Sequence, residues 1–155
     1  MTAPLHGDPT LVKLIDHCTW ANDAWLDFIA HHFHADEFLM KRIAHIFAGE
    51  RAWFQRLAGT EPDRQLWRLM TIPELRDLQH RHRIAYDDVL KGDLNRVIAY
   101  KRFTGEEYAS PVGDIVLHLA LHGAHHRGQM ATHVSATGTM PINTDFVQYC
   151  LMNRV

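Results

Sequence analysis

Apolar residues recur along this chain at helical spacing in four long runs, and almost nowhere in the alternation a strand would show. Leu11, Leu14, Ile15, Cys18, Trp25, Leu26 and Ile29 mark the first, from Leu11 to about His32, with Thr10 as its N-cap. Leu39, Ile43, Phe47, Trp53, Phe54 and Leu57 mark the second, roughly Asp36 to Leu57, which Gly59 closes. Thr71-Ile72-Pro73-Glu74 combines an N-cap, an early proline and capping-box spacing, and starts a third helix running to about Lys91. Ser110-Pro111 opens the fourth, which extends to about Ala136. Before it, Arg96-Val97-Ile98-Ala99-Tyr100 is β-rich and Thr104-Gly105-Glu106 signals a turn, so a small hairpin or extended crossover is expected there. The tail from Pro141 to Asn153 reads as a short final helix. The pattern predicts an all-α fold over residues 1–155 as a single domain. It is a four-helix bundle with a short extended or hairpin crossover before the fourth long helix, and a short C-terminal helix.

Histidines interrupt this pattern. On the fourth helix His118, His122 and His126 are successive steps of four, and His125, Gln129 and His133 fall within the same arc of roughly 100°. Two imidazoles a turn apart can hold one divalent ion, but a third ligand must come from elsewhere in the chain. Spacing alone leaves two pairs open, His118 with His122 or His122 with His126. A solvated polar face is the competing explanation, against which Leu117, Leu119, Leu121, Ala124 and Met130 leave little purely polar surface on this helix. Taken alone, His45 on the second helix is an ordinary core or surface histidine. His31, His32 and His34 read as a solvated connection. His80 and His82, flanked by Arg81 and Arg83, read as a solvated face.

Composition narrows the class. The 155 residues are 46% hydrophobic and 22% charged, an ordinary globular composition with material for one core. A net charge of −2 argues against a general nucleic-acid or anionic-membrane binder. No window approaches the ~20 apolar residues of a membrane span, and no secretory signal is visible, so a cytoplasmic location is expected. Cys18 and Cys150 lack metal-ligand spacing and read as two reduced, mostly buried thiols. Thirteen histidines make the net charge climb steeply between about pH 7 and 5.5 unless they are liganded.

The run His122-Gly123-Ala124-His125-His126-Arg127-Gly128-Gln129 resembles the H-x-x-x-H-R-G-Q signature of the DinB family of metal-binding four-helix bundles. Asp114 to His118 fits the same pattern. His45-Ile46-Phe47 with Glu50, Trp53 and Leu57 resembles the family's second-helix motif, Trp20-Ala21-Asn22 its first-helix W-x-N element, and Pro141 with Asp145-Phe146 its ending. The resemblance implies three metal ligands, His45, His122 and His126, and places His118 and His125 outside the coordinating set, with a supporting contact to the ligands still open to either. Three neutral imidazoles leave a position for water or substrate, as catalytic sites do. Each should donate its other ring N–H to a partner, for which Asp16, Asn22, Glu50 and Gln129 are candidates. Arg127 and Gly128 read as packing and helix–helix approach.

The expected cofactor is a divalent metal ion, zinc or nickel first and iron or manganese next. Relatives divide into metal-dependent hydrolases and enzymes that transfer low-molecular-weight thiols. The absence of a general base like the Glu of H-E-x-x-H tilts the expectation toward thiol transfer on a small-molecule substrate, with a thiol cosubstrate and a metal-bound thiolate. A metal-dependent hydrolase and a non-catalytic stress-response protein are the alternatives. The resemblance further implies a homodimer, loosely supported by the large apolar residues Trp20, Trp25, Trp53 and Trp67, which could equally fill a monomer's core.

Overall fold

The computed structural model describes residues 5–153. Helix α1 spans Pro9–His32, α2 Glu37–Leu57, α3 Ile72–Lys91 and α4 Val112–Ala136. An antiparallel hairpin of β1 (Val97–Lys101) and β2 (Glu107–Pro111) precedes α4, pairing Val97 with Pro111 and Lys101 with Glu107. A short α5, Phe146–Met152, closes the chain. The fold is therefore the expected all-α bundle, and the crossover is a hairpin.

Local chemistry sets the helix ends. Helix α1 begins two residues earlier than its apolar pattern: Asp8, not Thr10, is the N-cap, its carboxylate accepting from the amides of Thr10 and Leu11. Pro9 fits the first turn because its missing N–H would have no partner there. Asp36 caps α2 through the Leu39 amide. Thr71 and Glu74 form a reciprocal capping box on α3, at 3.3 and 2.7 Å. After α4, Gly138 at φ 82° takes the left-handed conformation that most side chains resist. Only the later part of the tail is helical, and no residue of α5 is buried. His17 from α1 anchors the tail, its Nε2–H donating to the Thr144 carbonyl at 2.8 Å.

Helix α2 packs along α4, and α1 along α3. The largest core cluster gathers Trp25, Leu26, Ile29, Leu39, Ile43, Phe47, Leu75, Met130 and Val134, all but closed to solvent. A second joins Ile15, Tyr86, Leu90, Val116 and Leu119, and a third lies under the hairpin at Ile98, Val112 and Ile115. Truncating a ring such as Phe47 at this depth costs about 3–5 kcal/mol. Of the four tryptophans only Trp25 is fully buried, while Trp67 is 46% exposed. Cys18 is buried and Cys150 partly so, and neither forms a disulfide. Among the described residues no helix is long and apolar enough to cross a membrane.

Candidate metal centre

Where α2 and α4 run side by side, three imidazoles face one another. His45 comes from the middle of α2, His122 and His126 from adjacent turns of α4, and one ring nitrogen of each lies within 4.8 Å of the other two. Ring centroids are 4.6 to 5.0 Å apart, and the planes cross at 62° to 87°, so the rings fan around a common point. His45 and His122 approach most closely, Nε2 to Nε2 at 3.2 Å.

The outward nitrogens explain the orientation. His45 Nδ1–H donates to the backbone carbonyl of Leu66 at 2.9 Å, which leaves its Nε2 as a lone pair directed inward. His126 Nδ1–H donates to Oε1 of Gln129 at 2.8 Å, with the same result. The Gln129 amide nitrogen in turn contacts His125 Nε2 at 3.1 Å. Such bonds fix the tautomer and raise the basicity of the free nitrogen. Trp67, from the irregular segment between α2 and α3, lies flat on His45 with centroids 3.7 Å apart and planes 4° apart. The Arg42 guanidinium sits over Trp67 at 4.8 Å.

Burial holds these imidazoles neutral. His122 is lowered to about 3, mainly by desolvation and then by the neighbouring His126, His45, His118 and His125. His45 is lowered by desolvation against the raising effect of its Leu66 bond. His126 is lowered by desolvation against the bond to Gln129. Neutral imidazole is the metal-binding form. The donor set therefore fits a borderline divalent cation, and no Asp, Glu, Cys or further His joins the cluster among the described residues.

Close helix approach makes the cluster possible. A Cβ at Gly49 would stand 3.0 Å from His122 Cε1 and 3.4 Å from its Nδ1, so any larger residue would push the ring by a few tenths of an ångström. Gly123 plays the same part for Arg127, whose Nη1 would lie 2.8 Å from an added Cβ. Gly128, expected at a helix–helix approach, instead faces open space. The signal that could have identified Gly49 was a glycine inside a strong helical pattern, one turn past a histidine.

The other expected residues fall elsewhere. The His118 ring stands 5.9 Å from that of His122, outside the cluster, and packs edge-on against Trp53. His118 is lowered by burial and then by the charge of Arg102. His133 is bound to Asp36 at 2.8 Å, well apart from the imidazole group. Of the four residues considered as partners for a ligand N–H, only Gln129 serves that role. Asp16 pairs with Arg83 at 2.9 Å, and Asn22 accepts from Arg127 at 2.8 Å.

Glu50 accepts from His82 at 2.8 Å and from the Tyr86 hydroxyl at 3.1 Å. This corrects the reading of His82 as solvated. It is 5% exposed, because it shares the inward stripe of α3 with Leu75, Leu78 and Tyr86, while Arg81 is exposed and Arg83 lies half-buried against Asp16 of α1.

A family model described as the DinB family matches residues 5–153. No curated protein matches the chain. The family match and the three-imidazole cluster are together compatible with a metal-binding protein.

Proposed function

The chain belongs to the DinB family, and from that membership and its facing imidazoles we propose a divalent-metal-dependent enzyme with His45, His122 and His126 as ligands. The observation that carries this reading is a donor set of three neutral imidazoles with no fourth protein ligand among the described residues, opening onto a cavity of about 410 Å³. A structural zinc site would be closed by a fourth side chain. A divalent ion held there supplies Lewis acidity, which lowers the pKa of a thiol or water molecule beside it. Zinc or nickel suits the set best.

Thiol transfer is the reaction favoured. A thiol gives up its proton to solvent, its sulfur attacks an electrophilic carbon to form the new C–S bond, and the leaving group departs with the electrons of the bond it breaks. The chain's share is to position the two reactants and exclude bulk water, with Trp53 and Phe103 giving the cavity an apolar wall. Hydrolysis needs a base for water, and the nearest buried carboxylate of α2, Glu50, is committed to His82 and Tyr86. The specific observation for hydrolysis as a second reading is His118, an imidazole lining the same cavity that can take a proton. A homodimer belongs to the same proposal, with the exposed Leu117 and Leu121 of α4 and Phe146 and Leu151 of α5 as apolar surface for it.

The test is a titration of metal-free protein with zinc and with nickel, followed by an assay with glutathione or bacillithiol and an aryl halide. One ion per chain, lost in His126→Ala, is expected, as is thiol consumption that follows metal loading. Metal binding with thiol consumption no greater than in His126→Ala ends the transferase reading. Failure to bind any ion ends the metal centre as well.

A further inference from the structure

Beside the imidazoles, α2, α4 and the hairpin enclose a cavity whose wall includes Trp53, Arg56, Arg102 and His122. A second hollow of about 400 Å³ continues it along the hairpin and shares Trp53, Arg56, Arg102 and His118. Volumes of this size suit a small organic molecule. The two arginines stand at the junction of both hollows.

Their partners differ from those of the paired arginines of the bundle. Arg51, Arg76, Arg81 and Arg83 each pair with an aspartate. Among the described residues, neither Arg56 nor Arg102 has a carboxylate at ion-pair distance. The acids on these walls are Glu106, engaged by the Thr104 hydroxyl, and Asp114 in the second hollow. Arg56 is half-buried among rings, its guanidinium 4.6 Å from the Trp53 centroid and 4.8 Å from that of Phe103. Its Nη2 makes one long bond, 3.3 Å to the Lys101 carbonyl, and its Nε is buried with no hydrogen-bond partner among the described residues. Arg102, on the exposed turn of the hairpin, lies over Tyr108 at 4.6 Å. A half-buried guanidinium with no carboxylate at ion-pair distance is costly to keep, and Arg56 together with the exposed Arg102 at one cavity mouth forms a receptor for a planar anion.

We propose that this cavity binds a small organic carboxylate, its anionic end held by Arg56 and Arg102 and its apolar body against Trp53 and Phe103. The opposite end of such a ligand then lies toward His122 and the imidazole group. Its status as substrate rests on the metal-dependent reading above, whereas its binding through the arginines does not.

The two claims separate in one experiment. Metal-free full-length protein is titrated with phenylacetate and phenylbutyrate, and with the corresponding amides, while tryptophan fluorescence reports on Trp53. The expected result is saturable binding of the acids at least about tenfold tighter than of the amides, reflecting the charge-assisted bonds. Arg102→Gln, on an exposed turn, should remove most of that preference and leave the zinc content unchanged. Arg56→Lys keeps the charge but loses the fork, and should weaken the acids less. Equal binding of acid and amide overturns the proposal. So does acid binding that appears only in zinc-loaded protein and is indifferent to Arg102→Gln, since the carboxylate would then sit on the metal. A preference for the acids in a chain that binds no metal upholds the cavity assignment and rejects the metal centre alone.

Discussion

Two groups of polar side chains are buried along α2, little more than a turn apart, and they are balanced in opposite ways. Around Glu50 every group has its complement. The carboxylate accepts from His82 and Tyr86, and next to it Arg127 donates to Asn22. Burial and the adjacent Glu50 charge hold the Tyr86 phenol far above its ordinary range, so it remains a donor. Burial likewise raises the Cys18 thiol. This group joins α1, α2, α3 and α4 and asks for nothing from outside. Around His45, by contrast, three imidazole nitrogens converge, two of the rings being tied outward to Leu66 and Gln129 while the inward nitrogens meet only one another among the described residues. A matched network serves the fold, whereas a set of like donors turned toward each other serves a cation. The same helix thus carries a closed polar network and an open one compatible with a metal ion, told apart by whether each polar group finds a partner.

The sharpest way to break the comparison is to unbalance the closed group. Glu50→Ala strands the His82 N–H and the Tyr86 hydroxyl in the interior, and should destabilise the metal-free protein by about 3 kcal/mol or more in urea denaturation. Glu50→Gln, which keeps an acceptor, should cost less. Zinc stoichiometry should persist in whichever variant stays folded. A loss under about 1 kcal/mol from Glu50→Ala would mean the network is ornamental to stability.

Acid should separate the two groups next. The folded protein lowers His45, His122 and His126 below the ordinary 6.5, His122 to about 3. Between those limits the unfolded chain binds protons that the folded chain refuses, so stability rises with pH there. The contribution is present above about 6.5 and drains away as pH falls toward 3. Denaturation midpoints of metal-free protein should therefore fall from about pH 7 to 5, and fall less in His122→Ala. Equal slopes in the two proteins would show that the imidazole group carries no proton linkage. Bound zinc should steepen the curve below about pH 6.5, because loaded ligands take up no protons while the unfolded chain does.

The sequence made some of this legible for physical reasons that differ from site to site. Helix starts at Asp36 and Thr71 were readable because capping is local chemistry. At α1 the apolar pattern pointed to Thr10, whereas Pro9 fits the first turn and the cap is Asp8. The i, i+4 spacing put His118, His122 and His126 on one face but could not choose between pairs. The choice came from the resemblance, and the fold shows that the His122 and His126 turns are the ones beside His45. His82 was misread from its arginine neighbours, although its register with Leu75, Leu78 and Tyr86 carried the correct signal. The roles of Leu66 and Trp67 had no signal at all. A backbone carbonyl is the same in every residue, and an irregular segment has no period that says where a ring will land.

The finest probe of the comparison is Gly49→Ala, because its two effects oppose each other. In the middle of α2 the exchange should favour the helix by about 0.5–1 kcal/mol. The new methyl, however, meets His122 Cε1 at 3.0 Å and Nδ1 at 3.4 Å, tighter than ordinary contact, so the ring must move by a few tenths of an ångström. Metal-free protein can absorb that shift by turning the ring, and its denaturation midpoint should stay level or rise slightly. A loaded site cannot, since three ligands around one ion fix each other's positions, and zinc affinity in a competition titration should fall by up to about tenfold. Raised stability with weakened metal binding would show that α2 keeps its glycine for the imidazoles rather than for the helix. Unchanged affinity would mean that His122 has slack, and that the close approach of α2 to α4 is a packing accident.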